Sequence, residues 1–210
     1  MVSLSSQSKK LGEKMSNMQS WKQNVGSIID YAERIFPEVE IVTRSLSGEI
    51  VKSNYGQVAK RAKKLGSALE SYGIKHGQNV GSLALNTYRN MEMYYGISGM
   101  GAVMHTINFR LHPEQVVYII NHAENRIIFL ETVFAPLLEA IQANCPTVEQ
   151  YVLLCSKEEM PETQLKNAIS YEEFIADGNE EYEWPELGED APCGLCYLSL
   201  IHISEPTRPY

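Results

Sequence analysis

The sequence predicts an α/β fold, a partial and mostly parallel sheet flanked by helices, on three observations. Short apolar runs at Val80 to Leu85, Ala102 to Ile107, Arg126 to Leu130 and Tyr151 to Cys155 alternate with stretches of helical period. The runs are apolar on both faces, as strands covered by helices on two sides must be. Each is joined to the next by a segment of the length and amphipathicity of a right-handed crossover helix.

The elements follow in order. Ile28, Ile29, Ala32, Ile35 and Phe36 make one stripe over Ser27 to Phe36, a helix stopped by Pro37. Ile41 to Thr43 and Ile50 to Lys52 flank the turn signal Ser47-Gly48, so a hairpin is expected. Asn54, with Gln57 three residues later, caps a helix that carries Val58, Ala59, Ala62, Leu65 and Leu69 on one face and ends at Gly73. Helices are then expected from about Tyr88 to Gly99, from Pro113 as first helical residue through Ala123, and over about Phe134 to Ala143. Ser170 to Ala176 reads as a short helix and Cys193 to Tyr197 as a further apolar strand, with an acidic surface segment between them.

Composition narrows the function. A chain of 210 residues, 44% hydrophobic and 21% charged, can bury a sizeable core. Its net charge of −8 argues against nucleic acid as a partner. The one basic run, Lys60, Arg61, Lys63 and Lys64, is threaded by Ala59, Ala62 and Leu65 and reads as a solvated helix face. No apolar run approaches the roughly 18 to 20 residues of a transmembrane segment. Met1 to Trp21 is polar and lacks the apolar centre of a signal peptide, which points to a cytoplasmic protein. Four cysteines in such a chain are expected as reduced thiols; Cys193 and Cys196 form a CxxC without a second pair. His105, His112 and His122 lack metal-ligand spacing, so no metal site is predicted.

Two motifs bear on ligands. Gly96-x-x-Gly99-x-Gly101 ends a helix and precedes a strand, the inverse of a dinucleotide fingerprint, and is expected to serve close packing of helix on sheet. GAVMHTINFRLHPEQ, from Gly101 to Gln115, runs from a buried strand into a proline-started helix. It places His105, Asn108 and Arg110 as candidates to line a crevice at the carboxyl end of a parallel strand. The competing reading has Asn108 shaping the turn and Arg110 pairing with a surface carboxylate.

SNYGQVAKRAKKLGSALESYGIKHGQNVG, NTYRNMEMYYGISGMGAVMHTINFRLHPEQVVYIINHAENRIIFLE and APCGLCY resemble the N-terminal part of AMP-forming acyl-CoA synthetases. The branch is that of medium- and long-chain fatty-acyl-CoA ligases in the adenylate-forming superfamily. MQSW and AERIFPEVEIVTR agree, which makes Met15 or Met18 the expected start. The resemblance implies three segments: a polar N-terminal extension over 1–20, the N-terminal part of the AMP-binding domain over 21–197, and a non-native tail over 198–210. It implies an enzyme that joins a fatty carboxylate to AMP and then passes the acyl group to CoA. ATP, Mg2+ and CoA are then the cofactors of the full-length enzyme, with none expected for the fragment, and a homodimer is implied.

Relatives follow a tyrosine like Tyr197 with a glycine- and hydroxyl-rich phosphate loop ending in lysine. Here Leu198 onward reads LSLIHISEPTRPY, which resembles translated sequencing-adapter sequence, so the chain as given is expected to be inactive. No catalytic or cofactor-binding residue of the family falls on a position present. Two alternatives stand: a ligase for a short thioether-containing acid such as 3-methylthiopropionate, and a non-catalytic α/β binding module.

Overall fold

The computed structural model describes residues 22–45 and 48–198. The N-terminal extension, Ser47 of the turn signal and the tail beyond Leu198 lie outside the described residues.

Helix α1 (Val25–Ile35) is opened by Asn24, whose side chain accepts from the Ser27 N–H while Ser27 Oγ accepts from the Asn24 N–H. Strands β1 (Glu40–Arg44) and β2 (Ile50–Asn54) form the expected antiparallel hairpin, Glu40 facing Asn54 and Arg44 facing Ile50. Helix α2 (Tyr55–Tyr72) starts at Asn54, whose Oδ1 accepts from the Gln57 N–H at 2.9 Å, and ends at Gly73 with φ +93°. Gln57 does not complete a capping box; its Oε1 accepts from Ser53 Oγ instead.

The second sheet has six strands: β3 (Asn79–Leu83), β4 (Val103–Thr106), β5 (Ile127–Leu130), β6 (Gln150–Leu153), β7 (Ala168–Ser170) and β8 (Gly194–Cys196). Their order is β7-β6-β5-β3-β4-β8, and every neighbouring pair is parallel. Helices α3 (Tyr88–Gly99), α4 (Pro113–His122) and α5 (Ala135–Ile141) make the crossovers, and α6 (Tyr171–Ile175) follows β7.

The alternation of the pleat divides the core. Val80, Met104, Ile127, Phe129 and Val152 pack with Leu65, Leu69, Met93, Ile97 and Tyr171 on one face. Leu83, Ile107, Ile128, Leu130 and Leu153 pack with Val116, Ile119, Ile120, Leu138 and Ile141 on the other. From β3 the chain moves to β4 on one side, then returns past β3 to β5, so neighbouring β3 and β5 send their connections opposite ways. That is the switch point at which open parallel sheets form a crevice.

The structure differs from these expectations or adds to them at four places. The helix over Phe134 to Ala143 is an α-helix of seven residues between two 3₁₀ turns, Thr132–Phe134 and Gln142–Asn144, because Pro136 sits in its first turn. Strand β7 was not foreseen; three residues are too few to show a period. Gly96 serves helix-on-helix rather than helix-on-sheet packing, since a Cβ there would lie 2.8 Å from the Ala62 carbonyl oxygen of α2. The acidic segment is at the surface but anchored: Trp184 lies against Gly26, Gly66 and Gly99, where an added Cβ would approach the indole to 2.8–2.9 Å, and its Nε1–H donates to Asp30.

A fifth concerns the basic run, which is not a uniformly solvated face. Lys63 binds Glu33 and Asp30 at 2.6 and 3.1 Å. Arg61 reaches Glu92, a carboxylate with no exposed surface, at 2.7 Å. The other Glu92 oxygen accepts from Tyr171 Oη at 2.9 Å. Arg61 also grips Glu172 with two bonds of 2.9 Å, and Arg89 shares Glu172 while donating to the Leu154 carbonyl. Five side chains thus lock α2, α3 and α6 to the end of β6.

Removing one partner of a buried ion pair leaves the other uncompensated, so Arg61→Ala should lower the unfolding free energy by about 3–5 kcal/mol. Arg61→Leu combined with Glu92→Leu should cost less than the single change, measured by urea unfolding. Partial burial pushes Glu172 up, but the bonds from Arg61 and the charges of Arg61 and Arg89 outweigh it and hold the carboxyl below its usual range. Such a group stabilises above its unfolded pKa of about 4.3, and the contribution is lost as pH falls through the lower folded value. Unfolding curves from neutral to acid pH should therefore be flatter over that window in Glu172→Gln than in the parent.

Candidate functional site

Strands β4 and β8 end side by side, with Thr106 opposite Cys196 in the parallel register. Beyond β4, the Ile107 N–H still bonds to the Ser82 carbonyl, and the chain then turns away. Asn108 makes the turn: its Oδ1 accepts from the Arg110 N–H at 3.0 Å and its carbonyl from the Leu111 N–H. Pro113 then opens α4, while Gln115 reaches back to the His112 N–H.

The turn exposes an aromatic platform. Phe109, 37% exposed, stacks on Phe134 with ring centroids 4.9 Å apart and planes 26° apart. The Arg110 guanidinium lies 5.6 Å from the centre of the Phe109 ring. Among the described residues Arg110 has no carboxylate partner, so the expected surface pair is not formed. Asn108 and Arg110 are both exposed at the carboxyl edge, where the sequence placed them.

His105 does not join them. It lies within β4, points into the layer under α4 and has no exposed surface. Its Nδ1 is 2.7 Å from Asn125 Oδ1, and Tyr197 covers it, ring centroids 5.1 Å apart. Tyr197 Oη in turn meets His122 Nδ1 at 2.7 Å. His105 Nε2 and Asn125 Nδ2 are buried without partners among the described residues. Burial pushes the imidazole below the ordinary histidine value, and the bond to Asn125 only partly opposes this. His105 is thus a neutral core residue, three positions before Asn108 and too early in the chain to reach the crevice.

Phe134 and the His122–Tyr197 pair were missed by sequence reasoning. Both contacts join residues of different elements, and no local pattern marks them. The thiols of the CxxC, Cys193 and Cys196, are both free. Among the described residues no group of three His, Cys, Asp or Glu side chains is placed to hold a metal ion.

The sequence profile of the family described as AMP-binding enzyme matches residues 31–199. The chain is 42% identical to the 3-methylmercaptopropionyl-CoA ligase of Ruegeria pomeroyi over 83% of this chain and 32% of that protein. It is 37% identical to the medium-chain-fatty-acid–CoA ligase of Ectopseudomonas oleovorans over the same shares of the two chains. The solved structure of an anthranilate CoA ligase in complex with anthranoyl-AMP superposes with a TM-score of 0.75 at 23% identity, covering 86% of this chain and 33% of that one. This last likeness shows the fold. The chain spans about a third of the length of the curated relatives it matches.

A base held neutral by folding destabilises the protein once the unfolded chain takes up protons, here below about pH 6.5. The His105 ring proton should therefore titrate in NMR with a midpoint below that of an unstructured histidine. In His105→Leu, the part of the acid-side loss of stability that this ring causes should vanish.

Proposed function

Because the chain belongs to the AMP-binding enzyme family, we propose that residues 21–197 form the N-terminal part of the large domain of an AMP-forming acid–thiol ligase. The enzyme acts on a medium- or long-chain fatty acid. The carboxylate attacks the α-phosphorus of ATP and expels pyrophosphate; the CoA sulfur then attacks the acyl carbon, forming the thioester and releasing AMP. The observation that carries this reading is the family match over most of the chain, on a parallel sheet whose β4 edge presents an exposed platform.

Asn108, Phe109 and Arg110 are the ligand-facing residues in this reading. A planar ring and a guanidinium suit a purine face and a phosphate, chemistry common to ATP and CoA. The phosphate-loop sequence expected after Tyr197 is absent from this chain, where LSLIHISEPTRPY stands instead. Magnesium would neutralise triphosphate charge in the full-length enzyme, but no metal ligands are assigned to the described residues. The four free cysteines support a reducing compartment, and we place the enzyme in the cytoplasm.

The relative named for 3-methylmercaptopropionyl-CoA favours one second reading, a ligase for a short thioether acid. Comparing kcat/KM for 3-methylthiopropionate, octanoate and palmitate separates the two.

The full reading frame containing this sequence should release pyrophosphate from ATP only when a carboxylic acid is supplied, and form a thioester when CoA is added. The 210-residue chain alone should release no more than a no-enzyme control. In the full frame, Arg110→Ala should raise KM for ATP or CoA about tenfold and leave KM for the acid unchanged, as expected for a lost charged contact. A full frame that releases no pyrophosphate with any acid would refute the ligase reading and favour a non-catalytic α/β binding module.

A further inference from the structure

Strand β8 has few contacts of its own. It is three residues long, it pairs with β4 alone among the described residues, and its Gly194 and Cys196 are exposed. Side chains tie it at both ends. At its start the Cys193 carbonyl accepts from Ser98 Oγ at 2.7 Å and from the Met104 N–H at 3.1 Å. At its far end the tie is Tyr197. The register that sets Thr106 against Cys196 brings Tyr197 beside Ile107, one residue before the Asn108 turn, so the main chain leaves β8 next to the exposed platform.

The alternation of the pleat turns Tyr197 toward α4, where its ring packs against the core beneath that helix, covers His105 and meets His122 edge-on with centroids 5.7 Å apart. The 2.7 Å contact between Tyr197 Oη and His122 Nδ1 is a bond for which the tyrosine O–H can serve as donor and the imidazole nitrogen as acceptor. Burial raises the Tyr197 hydroxyl above its ordinary value and the neighbouring Tyr118 adds to this, so the donor stays protonated at neutral pH. His122 is the last residue of α4, and Tyr118, one turn earlier, stacks on its imidazole with planes 26° apart. Tyr118 and His122 are both exposed. Their stack therefore buries little surface; what it does is fix the direction in which the imidazole faces Tyr197.

We propose that His122 is a positioning residue for acyl-adenylate formation: it holds Tyr197, and through it the direction in which the chain leaves β8 at the carboxyl edge. The inference rests on the ligase reading, in which the segment that follows Tyr197 meets the triphosphate of ATP. A misplacement of about 1 Å in such a segment can cost about a hundredfold in rate. Only the first step uses the triphosphate; when CoA attacks the acyl carbon of the adenylate, pyrophosphate has already gone. A side chain that merely supports the fold would slow both steps alike, whereas one that aims this segment slows the first.

The test is made on the full reading frame that contains this chain, with two assays: pyrophosphate release from ATP and the preferred acid, and thioester formation from the synthetic adenylate of that acid and CoA. His122→Ala alters an exposed side chain, and Tyr197→Phe removes only a hydroxyl. Each should lower kcat/KM for ATP in the first assay about tenfold and change the second by less than about twofold. The double variant should lose no more than either single one, since both remove the same bond. His122→Asn, whose amide oxygen can stand near the place of Nδ1, should recover most of the loss. Equal losses in the two assays, an unchanged first assay in His122→Ala, additive losses in the double variant, or no recovery in His122→Asn would overturn the inference and leave the ligase reading standing. A parent enzyme that forms no adenylate with any acid would instead remove the ligase reading, and this inference with it.

Discussion

A carboxylate with no exposed surface sits in the middle of α3, and the arrangement of one whole face of the protein follows from answering its charge. Glu92 takes a charged hydrogen bond from Arg61 of α2 and a neutral one from Tyr171 of α6. Satisfying a buried carboxylate demands good geometry at every partner, because each missed bond leaves desolvation unrecovered. Helices from distant parts of the sequence are thereby held in one mutual arrangement. Apolar contacts alone tolerate sliding; this set does not. Glu172 extends the lock through Arg89 to the Leu154 carbonyl, so the turn after β6 is held against the start of α3.

The consequence reaches the carboxyl edge of the sheet. The recess at the switch point is walled by Arg89 and by Leu154 after β6, which the same lock restrains, and by Glu131 after β5, whose N–H bonds to the Leu83 carbonyl. The platform at Phe109 and Arg110 is built differently. It depends on a short side-chain turn at Asn108 and a stack against the 3₁₀ turn before α5, and it is open to solvent. One sheet edge therefore carries a recess beside Arg89 and Glu131 and an exposed, cationic and aromatic shelf.

Much of the fold was legible from residue pattern. Helix α3 runs from Tyr88 to Gly99 as read, because a threonine cap and a glycine pair mark both ends. The four central strands were visible because burial on both faces makes them predominantly apolar. Strand β7 was not, since its Ala-Ile-Ser run is too short for periodicity and is set by pairing with β6. Polar residues were hardest to place. Arg61 and Lys63 sit in a run that looks solvated, yet both are partly covered, because their partners lie on α1, α3 and α6. Asn108 and Arg110 could be placed because a strand end is a local feature. The fate of His105 depends on what the chain folds against it, and a linear pattern carries no trace of that.

The seat of Trp184 links three positions far apart in the sequence. Gly26, Gly66 and Gly99 each leave room for the same indole, so a methyl group at any one of them evicts it. Once the ring has been displaced by the first such change, the second and third meet an empty space and add little. The three glycines therefore behave as a single heritable unit: each is costly to replace while the others remain, and all become free to drift together if the tryptophan is lost.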